Sequence, residues 1–241
     1  MCLARRNDRP NDPDVLAKPT MTLAVTGASG KTGWRVVDEA LQRGLAVRAL
    51  VRPGSVLPEQ LPAGLEVARL ELGDQQALAQ ALQGCEALVI ATGARPSIDL
   101  LGPLKVDALA IRDQIAACNT AGVRRVVLVS SLCAGRWLHP LNLFGLILVW
   151  KRLGEQWLAQ SGLDWTVVRP GGLSENDGRA DSEGVVFSGP DQQEINSIPR
   201  RLVARVCLDA LDHPASIGRI IEITSNPDLP VTTLGQWLTS A

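Results

Sequence analysis

The sequence predicts an α/β fold, a doubly wound parallel sheet with a small C-terminal lobe on the substrate side. Three observations carry that expectation. Short apolar runs alternate with helical patterns from Met21 onward, which favours a parallel sheet with crossover helices. The first apolar run, Leu23 to Val25, ends in glycines spaced three apart, Gly27, Gly30 and Gly33, and a helical pattern follows at once. The run Arg125 to Val129 is almost wholly aliphatic or β-branched, as a strand covered on both faces should be.

The first βα unit spans Thr22 to Arg43, with Val36, Val37, Ala40 and Leu41 on one helix face and Gly44 as its stop. Strand, glycine turn and helix place a pyrophosphate on a helix N-terminus, the geometry of a Rossmann-type dinucleotide site. Gly27 allows the tight turn, Gly30 lets backbone N–H groups approach phosphate, and Gly33 lets the helix pack on the strand. Ala28, Ser29, Lys31 and Thr32 complete that loop. The second run, Leu45 to Val51, ends at Arg52 and carries no acid before Ser55. An acid there suits the ribose 2′-hydroxyl of NAD, and an arginine suits the 2′-phosphate of NADP. Arg52, with Lys31 nearby, therefore favours NADP(H) over NAD(H).

A third strand is expected over Leu65 to Leu72, then a helix over Gln75 to Leu82 with Asp74 as N-cap or adenine contact. The fourth, Ala87 to Ala91, runs into Thr92 and Gly93, small enough for the chain to pass beneath a cofactor ribose. One helix is expected over Leu104 to Ala121. The fifth strand ends in Ser130 and Ser131, which face the nicotinamide region if ligands lie beyond the strand ends. The loop from 132 to 145, with Trp137, His139 and Phe144, is the candidate substrate wall. A helix over Leu146 to Gln160 carries Lys151. A sixth strand, Trp165 to Val168, leads to Pro170, Gly171, Gly172 and Leu173. Residues 174 to 196 are polar and turn-rich, with one strand at Val185 to Ser188. A helix from Ile198 to Leu211 has Pro199 in its first turn, and a strand (Arg219 to Thr224) and helix (Thr232 to Leu238) follow.

Composition narrows the function. The chain has 241 residues, 46% hydrophobic and 20% charged, with a net charge of −1, so broad attraction to nucleic acid is not expected. No stretch is apolar for the ~20 residues of a membrane span. Five cysteines far apart and two histidines give no zinc-type cluster, so no metal site is expected, and reduced thiols suit a cytoplasmic protein. Residues 1 to 20 are polar, proline-containing and mixed in charge, and they are expected to form a disordered tail ahead of a single domain over 21 to 241. Their aspartates argue against a transit peptide, and Met21 is a candidate translation start.

Together the motifs resemble the atypical short-chain dehydrogenase/reductase family, of the NmrA-like NAD(P)-binding kind, and most of all its small plant-plastid and cyanobacterial reductase-like members. The residues are Thr26 to Gly33, Leu50 to Arg52, Leu128 to Ser131, His139 to Asn142, Val149 to Arg152, Glu155, Leu163 to Gly172 and Ile198 to Arg200. The resemblance covers Met21 to Ala241. It implies a Rossmann core with NADP(H) along the strand ends, Lys151 on the nicotinamide ribose, and Pro170 to Leu173 lining the nicotinamide. The wider family uses Tyr-x-x-x-Lys, with tyrosine as general acid. Here Ile147 stands four residues before Lys151, and the chain contains no tyrosine at all. Carbonyl reduction by that route is excluded. Ser130, Ser131, His139 and Lys151 remain as catalytic candidates. The expected function is an NADP(H)-dependent oxidoreductase passing hydride to a small apolar acceptor such as a quinone, flavin or carbonyl. The alternative is a non-catalytic NADP(H)-binding redox sensor or assembly factor with a protein partner, and a homodimer is compatible with either. An epimerase or dehydratase ranks last, since it too needs the missing tyrosine.

Overall fold

The computed structural model describes residues 21–93, 102–136, 142, 146–193 and 196–240. Strands β1 (Thr22–Thr26), β2 (Ala46–Val51), β3 (Leu65–Arg69), β4 (Ala87–Ile90), β5 (Arg125–Val129), β6 (Asp164–Pro170), β7 (Gly172–Ser174), β8 (Gly184–Ser188), β9 (Ser197–Pro199) and β10 (Arg219–Asn226) are joined by helices α1 (Lys31–Gln42), α2 (Gln75–Leu82), α3 (Ala110–Ala121), α4 (Ile147–Ala159), α5 (Arg200–Asp212) and α6 (Leu234–Ser240). The eight-stranded sheet has the order β3-β2-β1-β4-β5-β6-β10-β8. Every pair in it is parallel except β10 with β8. This is the expected Rossmann-type fold, with its switch point between β1 and β4.

Strand alternation divides the core between the two sheet faces. Leu23 and Val25 point to the face covered by α1 and α5, with Val36, Val37, Ala40, Val203 and Cys207. Ala24 points to the opposite face, with Leu78, Leu82, Ile111, Ile115, Cys118 and Leu158 of α2, α3 and α4. Burial pushes the Cys118 and Cys207 thiols up to about 12, so both act as small core hydrophobes.

Four expectations need correction. The third strand ends at Arg69, three residues before the expected Leu72, where the partner strand β2 has also ended. The helix over Leu104 to Ala121 is two elements, because Leu104–Leu109 winds as a π-helical turn before α3 begins. The helix expected from Ile198 starts at Arg200. Ser197–Pro199 pairs instead with Gly172–Ser174 in a two-stranded parallel sheet, and Pro199, with extended ψ, is the residue before the helix. Strand β6 also runs on through Arg169 and Pro170, two residues past its expected end. The small lobe is built from β7, β9, the edge strand β8 and a 3₁₀ turn at Asp177–Arg179.

The lobe is tied to α1 by charge. Arg200 donates to Thr32 Oγ1 at 3.0 Å and to Glu175 at 3.2 Å, while Arg35 meets Asp177 at 2.5 Å. Further along, Arg201 pairs with Asp38 and Arg205 with Glu39, at 2.8 and 2.9 Å. The start of α1 is thereby fixed against the lobe.

Candidate cofactor site

A cleft of about 350 Å³ opens at the switch point, lined by Gly27, Ser29, Gly30, Leu50, Val51, Arg52, Leu72, Ala91, Thr92, Gly93, Gly102 and Val106. The three glycines beneath it answer different demands. Gly27 has φ +71°, and a Cβ there would stand 2.6 Å from the Ala91 carbonyl oxygen. A Cβ on Gly33 would stand 2.2 Å from the Gly27 carbonyl oxygen, so this glycine lets α1 close on the turn. Gly30 has an ordinary extended backbone, φ −84°. A Cβ there meets only the Gly27 carbonyl oxygen, at 3.1 Å, and otherwise open space. Protein packing thus accounts for Gly27 and Gly33, whereas a Cβ at Gly30 would mainly occupy the cleft.

Two further features fit a dinucleotide. Thr92 Oγ1 is buried on the cleft wall with no hydrogen-bond partner among the described residues, an omission a ligand hydroxyl or phosphate would repair. Arg52 is exposed at the end of β2. The Ser29 hydroxyl donates to Ser55 Oγ at 3.1 Å, which ties the glycine turn to the loop after Arg52. Arg69 donates to the Pro53 and Ser55 carbonyls of that loop, at 3.0 and 2.9 Å. The residues present therefore fit a dinucleotide.

Other candidates are placed otherwise. Ala28 is wholly buried in the core. The Lys31 ammonium pairs with Glu175 at 2.8 Å, and Thr32 accepts from Arg200. Asp74 accepts from the Ala77 N–H at 3.0 Å, so its capping role is realised. Pro170, Gly171, Gly172 and Leu173 are absent from the cleft lining. Pro170 is buried in β6 beside Ile223 of β10. Gly171 is explained by packing, since a Cβ there would stand 2.2 Å from the Asn196 carbonyl oxygen. Gly172 and Leu173 form an exposed short strand. His139, Trp137 and Phe144 lie outside the described residues, as do the first twenty.

Ser130, at the end of β5, is 8% exposed, and its hydroxyl donates to Glu155 Oε1 at 2.6 Å. The proton is thus directed into the protein, which removes Ser130 as a donor to a carbonyl oxygen while its own lone pairs remain acceptors. Ser131 is half-buried. Glu155 receives both ends of the Arg169 guanidinium, at 2.9 and 2.7 Å. Arg169 also reaches Asp191 at 3.0 Å and Glu222 at 3.4 Å. Burial opposes the arginine charge, yet the Glu155 hydrogen bonds and the three nearby carboxylates outweigh it and raise its pKa. Glu222 in turn accepts the backbone N–H groups of Asp191, Gln192 and Gln193, at 2.8, 3.0 and 2.9 Å. One buried network thus joins β5, α4, β6, β10 and the loop at 191–193. The sequence signal for it is an isolated arginine at the end of an apolar strand.

Lys151 projects from α4, its side chain 14% exposed, and donates to Asp107 Oδ1 at 2.8 Å. Among the described residues no group of three or more His, Cys, Asp or Glu could hold a metal ion, and no helix is long and apolar enough to cross a membrane.

The fold and the cleft define a dinucleotide-binding α/β protein. The description of the NAD(P)H-binding family matches residues 27–214, and the chain belongs to that family, among the NAD(P)-binding oxidoreductases of the atypical short-chain, NmrA-like kind. An uncharacterised chloroplastic protein of Arabidopsis thaliana is 36% identical over 89% of this chain and 80% of its own length. Sanguinarine reductase of Eschscholzia californica is 29% identical over 86% of this chain and 90% of its own. The chloroplastic protein TIC 62 of the same Arabidopsis is 29% identical, but this chain matches only 37% of its length. Among solved structures, a protein provisionally assigned as an NAD-dependent epimerase/dehydratase from Bacillus halodurans superposes with a TM-score of 0.78 at 27% identity, over 92% of this chain and all of that one. An anaerobilin reductase from Escherichia coli O157:H7 gives 0.69 at 25% identity, over 88% and all. The expected cytoplasmic location is overturned, because relatives at 36, 34 and 29% identity are chloroplastic. Reduced thiols suit any reducing compartment, so cysteine usage could not distinguish one from another.

Proposed function

We propose that the protein is an NADP(H)-dependent oxidoreductase that passes hydride to a small apolar acceptor without a tyrosine acid. The observation that carries this reading is the cleft wall itself. Gly30 leaves open the space that a side chain would fill, and buried Thr92 Oγ1 stands there without a partner. In this reading the glycine turn and the α1 N-terminus hold the pyrophosphate. The exposed Arg52, which lines the cleft together with Ser29, takes the 2′-phosphate and so prefers NADP(H). Thr92 and Gly93 border a ribose, and Lys151 holds the nicotinamide ribose. Bound NADPH would supply the hydride. Ser130 offers an acceptor, and Ser131 is left as the hydroxyl to polarise an acceptor oxygen. A quinone or flavin acceptor fits best, since it collects its proton from water and needs no dedicated acid.

The test is NADPH oxidation with quinone, flavin and aldehyde acceptors in turn. Turnover with one of them, slowed at least about tenfold by Lys151→Ala, is the expected result. The absence of any tyrosine supports a second reading, a redox sensor that binds cofactor and a protein partner. Tight NADPH binding with no turnover, and partner affinity that changes with cofactor oxidation state, would favour it.

A further inference from the structure

Asp107 is 1% exposed and sits in the π-helical turn Leu104–Leu109. Such turns are uncommon, and the wide winding re-aims a side chain that an α-helix would place elsewhere. Its carboxylate accepts from Lys151 Nζ at 2.8 Å across 44 residues of sequence. The neighbouring backbone is shaped to permit this. A Cβ on Gly154, one turn along α4 from Lys151, would stand 2.5 Å from the Asp107 carbonyl oxygen, so the glycine lets α4 and the π turn close together. The pair also reaches the cleft. A Cβ on Gly93, a cleft-lining residue, would stand 3.8 Å from Lys151 Nζ and 3.9 Å from Asp107 Oδ1.

A buried carboxylate is costly unless a cation accompanies it, and the same holds for the ammonium. Together the two are neutral. The oxidised nicotinamide ring is a cation and the reduced ring is not, so a lone ammonium at the cleft wall would disfavour the oxidised form. A lone carboxylate would do the reverse.

We infer that Asp107 is a positioning residue for Lys151, holding its ammonium against the Gly93 wall and balancing its charge, so that this pair sets the relative affinity for the two oxidation states of the cofactor. The inference rests on the cofactor reading proposed above. It gives the lysine a defined setting in a chain that has no tyrosine for it to act upon.

The experiment uses four full-length proteins: wild type, Asp107→Asn, Lys151→Gln and the double variant. NADPH affinity is read from nicotinamide fluorescence and NADP⁺ affinity from calorimetry, with thermal unfolding as a check on folding. Asp107→Asn should raise the ratio Kd(NADP⁺)/Kd(NADPH) roughly threefold to tenfold, by leaving the ammonium uncompensated. Lys151→Gln should lower it, and the double variant should return within about twofold of wild type. The two single variants shift the ratio in opposite directions, so one that fails to fold leaves the other to decide. An unmoved ratio in folded variants, with both forms weakened alike, overturns the inference while leaving the cofactor reading intact. Wild-type protein that binds neither form sinks the cofactor reading and this inference with it.

Discussion

At Gly30 a single hydrogen atom faces the cleft where other residues would place a side chain. A Cβ at this position would stand 3.1 Å from the Gly27 carbonyl oxygen and otherwise in open space, and in the cofactor reading it would keep a phosphate from the backbone. Gly30→Val should therefore leave thermal stability within about 1 kcal/mol of wild type while abolishing NADPH binding. Gly33→Ala should do something different, since its Cβ would meet the Gly27 carbonyl oxygen. It should destabilise the fold by about 2 kcal/mol or more, read from urea midpoints. Arg169 gives the strongest single-residue prediction about stability. Arg169→Met removes the cation shared by buried Glu155 and Glu222 and should cost about 3–5 kcal/mol in the same assay.

Elements were legible in the sequence to the extent that their cause was local. The β1–α1 turn was readable because the positive φ of Gly27 and the approach of Gly33 to the Gly27 carbonyl are local, and Gly44 and Gly162 ended helices with φ +77° and +75°. Strands β7 and β9 were not readable. Each is three residues long, and their pairing depends on a partner more than twenty positions away. The π turn was missed because helical periodicity cannot distinguish an α from a π winding over six residues. Asp107 and Lys151 stood in separate helices in the sequence, and only packing at Gly154 brings them together. Gly171 has a packing reason that no sequence pattern shows, since its Cβ would meet the Asn196 carbonyl oxygen twenty-five positions away. The core cysteines of α3 and α5 pack as small hydrophobes. Native protein treated with iodoacetamide at pH 8 should leave Cys118 and Cys207 unlabelled, since both thiols titrate near 12, and unfolding should expose them. Peptide mass mapping decides this.

The whole molecule places a cleft bordered by Arg52 at the reversal point of its sheet and braces it from two sides. One brace is the charged seam of α1 with α5 and the lobe. The other is the buried network from Ser130 through Glu155 and Arg169 to Glu222. The first begins at Thr32 in the first turn of α1 and the second at the end of β5, the neighbour of β4, so cofactor binding should stabilise the molecule as a unit. At a hundredfold excess over Kd, NADPH should add about 2.7 kcal/mol. For a chain of this size that is a rise in Tm of about 5–10 °C, checked by scanning calorimetry.

The central claim is that this cleft selects the 2′-phosphorylated cofactor through Arg52. It is tested most directly by titrating wild type and Arg52→Ala with NADPH and NADH in parallel, following nicotinamide fluorescence. The account predicts NADPH tighter than NADH by about tenfold or more in wild type, from charge-assisted hydrogen bonds to one phosphate. It predicts that Arg52→Ala abolishes most of that difference by weakening NADPH alone. Equal affinities in wild type, or a preference that survives the loss of Arg52, would contradict it.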